Sequence, residues 1–262
     1  MTTLTLAIST AQWCGLILVA FAAGTVDSIV GGGGLLQLPG LLLILPSQPT
    51  VMLLGTNKIA SVWGTGSAAV IYNRRVRVDR REAAVMTGLA ALGAVGGAAL
   101  ASTVSSRQLK PIVLIALVVV FFYVLRRPAL GAETTERLQA STRKVITATA
   151  GIGIGFYDGF IGPGTGSFLV FLLVGVVGLN FLQASAVAKV VNTATNLAAL
   201  AWFAAHGHVL FGVGLAMGAA NATGAQIGSR LALGRGAIWV RKVFLVIVCA
   251  LIVRLAYDIS RG

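Results

Sequence analysis

The sequence predicts an all-α polytopic membrane protein of two inverted-topology repeats, each a Gly-broken helical hairpin followed by three transmembrane helices. Three observations carry this. Of the 262 residues, 57% are apolar and only 10% charged, where an ordinary soluble domain has roughly a quarter charged, and a mean hydropathy of +0.92 leaves too little polar surface to cover a water-soluble fold. Two apolar stretches are too long for one crossing. The chain also superposes on itself at an offset of 131 residues.

Apolar stretches run over 11–45, 50–72, 83–104, 111–125, 145–178, 183–205, 208–229 and 238–257. Most match, or nearly match, the roughly 20 residues that cross a bilayer as helix. As one helix the first stretch would be about 52 Å long, against a hydrocarbon core of about 30 Å. It must break, and so must 145–178. The breaks are expected at Gly31, Gly32, Gly33 and Gly34, and at Gly162, Pro163, Gly164, Thr165 and Gly166, because glycine weakens a helix and proline lacks an amide donor. New helices are expected near Leu35 and Ser167.

The two breaks are related by the offset. It superposes Gly24 on Gly155, Asp27 on Asp158, Gly31 on Gly162, Gly33 on Gly164, Lys58 on Lys189, Gly93 on Gly224 and Gly97 on Gly228. Apolar chains match by chance, so the rare residue types decide: the chain has four Asp and five Lys, and one of each recurs in register in apolar surroundings. The chain is accordingly divided into residues 1–131 and 132–262, two repeats of one membrane domain, with Arg126 to Lys144 as polar linker.

Basic residues set the orientation. Loops 73–82, 126–144 and 230–242 hold fourteen Lys and Arg, and the other connections hold four, so the rich loops belong on the cytoplasmic side. Threading the chain this way makes each over-long stretch start and end on one side. It also inverts the halves and puts both termini outside. Counting gives ten spans, or six spans plus two pairs of re-entrant half-helices, and the sequence leaves both open.

The Gly-rich breaks are the candidate site, because unwound backbone at membrane depth survives only inside protein or along a polar cavity. Free amides and the positive dipole end of each new helix favour an anion. The bland alternative is that the glycines only allow close packing or kinks. Asp27, Asp158, Lys58 and Lys189 are charges at bilayer depth and need partners. One reading is an Asp–Lys pair within each half; the other makes Asp27 or Asp158 a coupling site for a proton or cation and the lysines the positive potential of an anion pocket. Gln37, Thr56, Asn57, Ser167, Asn192, Thr193 and Asn196 could complete the lining, and Asn192 and Asn196 share a helix face with Lys189. His206 and His208 read as a solvated turn. Gly93 with Gly97, and Gly224 with Gly228, read as helix-packing pairs.

Other classes find no support. The +13 charge lies in short runs without a nucleic-acid motif. Gly153, Gly155 and Gly159 do not have GxGxxG spacing, and no GK[ST], HExxH or GxSxG occurs. Cys14 and Cys249 sit in apolar stretches and suggest neither disulfide nor metal. The N-terminus lacks the basic start of a cleaved signal.

The segment AGTVDSIVGGGGLLQLPGLLL (Ala23 to Leu43) and its counterpart GFYDGFIGPGTGSFLVF (Gly155 to Phe171) resemble the paired motif of the sulfite exporter TauE/SafE family. The resemblance implies a multi-spanning prokaryotic inner-membrane protein that moves sulfite, sulfoacetate or another small organosulfur anion. The resulting expectation is a secondary transporter, not an enzyme, without cofactor, whose partners are a small anionic substrate, the lipid bilayer and a coupling proton or cation, with a homo-oligomer left open. Alternating access would come from one half rocking against the other. A passive anion channel and a non-transporting membrane subunit are the alternatives.

Overall fold

A computed structural model describes residues 8–78, 80–105 and 139–235, with isolated residues between 107 and 118 and at 249, 253 and 257. Most of the 111–125 and 238–257 spans, the 126–138 part of the linker and both chain ends lie outside the described residues. The third transmembrane helix expected in each repeat and the external termini fall there.

The described residues form helices and no strands: α1 (Thr10–Val30), α2 (Gly34–Ile44), α3 (Thr50–Arg75), α4 (Arg80–Thr103), α5 (Ala140–Phe160), α6 (Thr165–Leu172, continued by the π turn Leu173–Val177), α7 (Phe181–Ala205) and α8 (Phe211–Arg235). Helix starts follow local chemistry. Ser9 and Gln12 form a reciprocal capping box ahead of α1, and Asn180 with Gln183 does the same ahead of α7. Adding 131 to the bounds of α1–α4 lands within two residues of the bounds of α5–α8, with α6 taken through its π turn.

Thr10–Ile29 and Ala83–Thr103 are long and apolar enough to cross a bilayer. Helices α3 and α7 spend several positions on polar residues that gather in the site. Helix α2 has 11 residues, and α6 with its π turn has 13, or about 16 and 20 Å, too short to cross. Their partners α1 and α5 have 21 residues each, about 31 Å. Each over-long stretch is therefore a full-length helix joined to a half-length one, neither two full spans nor two half-helices.

Packing does not follow chain order. Helix α8 lies along α1 and α3, while α4 lies along α5 and α7. One bundle holds α1, α2, α3 and α8, the other α4 through α7, and they meet along α3 and α7. Since α4 and α8 each sit in the bundle built mainly from the opposite half, neither half can rock as a rigid body; the bundles are the bodies that could.

Glycines make the exchange possible. A Cβ at Gly93 or Gly97 of α4 would overlap the Ile152 and Phe156 carbonyls of α5, and one at Gly155 or Gly159 would overlap the Ala90 and Ala94 carbonyls. Gly224 and Gly228 of α8 stand in the same way against Phe21 and Thr25 of α1. Backbone-to-backbone packing of this kind has no room for a side chain. Gly97→Leu is expected to separate α4 from α5 and lower the melting temperature in detergent by several degrees or more, whereas Gly153→Leu, where a Cβ meets nothing within 4 Å, leaves it nearly unchanged.

Candidate functional site

Helix α1 ends where Gly31 turns left-handed, at φ 84°, and its N–H donates to the Asp27 carbonyl at 2.8 Å. The second break turns at Gly162, φ 91°. These conformations are costly for any residue with a Cβ. The break tips touch: the Ser167 N–H donates to the Gly31 carbonyl at 3.0 Å, and a Cβ on Gly31 would overlap the Gly166 backbone. Tyr157 fastens the second break by donating its hydroxyl to the Pro163 carbonyl at 2.6 Å.

Two buried ion pairs flank the tips. Lys58 Nζ of α3 donates to Asp158 Oδ1 of α5 at 3.0 Å, and Lys189 Nζ of α7 donates to Asp27 Oδ2 of α1 at 2.8 Å. Each lysine also donates to the backbone carbonyl of its aspartate. The expected pairing of Asp with Lys inside each half is thereby corrected: both pairs cross between halves. The cause is the packing of α3 against α7 at the junction of the bundles, where each lysine faces the acid of the opposite bundle.

The helix N-termini are partly spoken for. Asp27 Oδ1 accepts the Gly33 N–H at 3.1 Å, a carboxylate at the positive end of α2. The Thr165 N–H goes to the Gly162 carbonyl at 3.2 Å and its hydroxyl lies 2.9 Å from Asp158 Oδ1. The free amides expected there are in part occupied by the protein itself. Asp158 Oδ2, in contrast, is buried with no hydrogen-bond partner among the described residues.

Between these groups lies a cavity of about 20 Å³, near the minimum that holds one water. The structure brings Asp27, Gly31, Gly33, Gly34, Asn57 and Lys58 to it from one side. Asp158, Gly162, Gly164, Thr165, Gly166 and Asn192 come from the other, and Asn196 joins them. Seven expected residues do not line it. Gln37 donates to Asn57 Oδ1 at 2.7 Å and accepts from Asn221, forming a buried amide relay beside the cavity. Gly32 and Pro163 contribute carbonyls to the turns, Ser167 contributes its amide, and Lys189 acts through Asp27. Thr56 turns away to accept the Leu210 N–H at 2.9 Å, and Thr193 bonds back to the Lys189 carbonyl.

Ser61, Thr65 and Asn221 line the cavity and were missed. The first two carried a readable signal, since the offset places them on Asn192 and Asn196. Asn221 carried none: its counterpart is Ala90, and it fits because Gly24 and Gly64 leave space opposite it. His206 stacks on Trp202, ring centroids 4.2 Å apart. Among the described residues, no three of His, Cys, Asp and Glu gather as a metal site.

Full-length helices wrapped around a buried polar site with two broken helices define a helical membrane protein of the transporter class, and the comparisons agree. The chain belongs to the sulfite exporter TauE/SafE family, whose model matches residues 16–255. It is 39% identical over 243 residues to the probable membrane transporter protein ORF9 of Sinorhizobium sp, covering 93% of this chain and 92% of that protein. It is 34% identical to the probable membrane transporter protein YfcA of Escherichia coli (strain K12), covering 93% and 89%. A probable membrane transporter protein of Haemophilus influenzae is 32% identical, covering 93% and 94%. No solved structure gives a significant match.

Proposed function

We propose that this membrane transporter is a secondary carrier that exports a small sulfur-containing anion, such as sulfite or an organosulfonate, across the inner membrane. Residues 1–131 and 132–262 are two inverted repeats, and both termini are external. The observation that carries the reading is the meeting of two glycine-turned helix tips at a small polar cavity flanked by ion pairs. A cavity with room for about one water is too narrow for a standing conduit, which suits a carrier better than an open channel. Substrate enters when the bundles separate, and Lys58, Lys189, Asn57 and Asn192 then face it together with the glycine amides.

With both pairs intact, two Lys and two Asp cancel and the site is neutral. An arriving anion needs a lysine released from its aspartate. A proton or cation taken by an aspartate supplies that release, and the unpartnered Asp158 Oδ2 favours Asp158 over Asp27 for the role.

The test is counterflow in proteoliposomes of the purified full chain. Uptake of labelled sulfite or sulfoacetate is expected to saturate, to accelerate with the same anion on the far side, and to move a pH-sensitive dye. Ohmic single-channel current would overturn the carrier. Flux of carboxylates but no sulfur anion would overturn the substrate class, and net uptake down an imposed anion gradient without dye response the proton coupling.

A further inference from the structure

We infer that the chain carries a binding site for an anionic phospholipid, separate from the central cavity, in a groove between α3 and α8. The groove has a volume of about 490 Å³. Arg74 and Arg75, in the last turn of α3, and Arg230 of α8 converge on it, above a wall that includes Val70, Ile71 and Leu233. All three arginines are exposed, and none makes an ion pair or hydrogen bond with a described residue. The described lining contains no acidic side chain.

The groove does not open from the transport site. On α3 the residues facing the cavity, Lys58, Ser61 and Thr65, continue in steps of three and four to the buried Ala68 and Tyr72. Ser67, Val70, Ile71 and Arg74 follow the same steps on a separate face, which lies roughly opposite at 100° per residue. Val70 is 53% exposed on that face.

The positive-inside tendency and the dipole at the end of α3 account for arginines near this level of the membrane. They do not account for arginines from two helices meeting over one apolar slot. That arrangement matches a phosphodiester headgroup with an acyl chain beneath it, guanidinium forks on the phosphate oxygens and aliphatic side chains along the tail. A free phosphate or the transported anion would use the arginines and leave the apolar wall idle. The occupant assigned is therefore a lipid with net negative charge, drawn from the leaflet that borders the arginine-rich loops.

The experiment measures melting of the purified full chain in neutral detergent against added phosphatidylglycerol, phosphatidylcholine, glycerol 3-phosphate and sulfite, with lipid retention read in parallel by native mass spectrometry. Phosphatidylglycerol is expected to raise the melting temperature and stay bound, while phosphatidylcholine and glycerol 3-phosphate do neither. The double variant Arg74→Gln/Arg230→Gln is expected to melt normally in phosphatidylcholine and to bind phosphatidylglycerol about 25-fold more weakly, each arginine near an anionic headgroup being worth about fivefold. Arg107→Gln, an exposed arginine elsewhere, should bind as the unaltered chain does. Equal stabilisation by phosphatidylcholine, unchanged phosphatidylglycerol binding in the double variant, or glycerol 3-phosphate or sulfite binding that depends on Arg74 and Arg230 would each overturn the lipid assignment.

Discussion

Lys58→Ala is expected to cost about 3–5 kcal/mol of stability, because it leaves the Asp158 carboxylate buried without its countercharge. Lys189→Ala should do the same to Asp27. Both lysines are at most 2% exposed, so water cannot take over from the missing partner. The diagnostic measurement is a set of double-mutant cycles followed by unfolding in detergent. Lys58→Ala should couple strongly to Asp158→Ala and be nearly additive with Asp27→Ala, and Lys189→Ala should show the reverse pattern. Coupling of each lysine to the aspartate of its own half would refute the crossed arrangement.

Gly31→Val is the second substitution with a large expected effect. The residue holds φ 84°, where a β-branched side chain is strained by at least about 1–2 kcal/mol. Its Cβ would also meet the Gly166 and Ser167 backbone rather than a side chain that could turn aside. The break tips must then part, which removes the Ser167 to Gly31 hydrogen bond and opens the cavity wall. Anion counterflow is expected to disappear in Gly31→Val and to fall at least tenfold in Gly31→Ala. Gly88→Ala provides the contrast, since its Cβ meets nothing within 4 Å and alanine in a helix is preferred to glycine by about 1 kcal/mol. It should transport normally and melt no lower. A Gly31→Val protein that exchanged anions at the native rate would show that the tips need not touch.

Much of this arrangement could be read from residue identities. Stretches too long for one crossing forced the breaks, and glycine and proline marked them to within a residue or two of where α2 and α6 begin. Asp27, Asp158, Lys58 and Lys189 stood out because charge in apolar sequence is scarce. Their pairing did not, since a symmetric set of two acids and two bases is satisfied equally by partners in the same half or in opposite halves. Only the packing of α3 and α7 decides it. Ser61 and Thr65 escaped for a different reason: hydroxyl side chains in helices commonly bond back to the preceding turn, as Thr65 does to the Ser61 carbonyl at 2.8 Å, so their presence signals little. The amide relay from Asn57 through Gln37 to Asn221 joins three helices and has no spacing of its own to detect.

The exchanged helices also dictate an order of assembly. As the chain leaves the ribosome, α4 through α7 can close together as soon as α7 has entered the membrane, whereas α1 and α3 wait for α8. A nascent chain stalled after α7 therefore contains one group whose described helices are all present and one with a strip along α1, at Gly24, that still awaits Asn221 of α8.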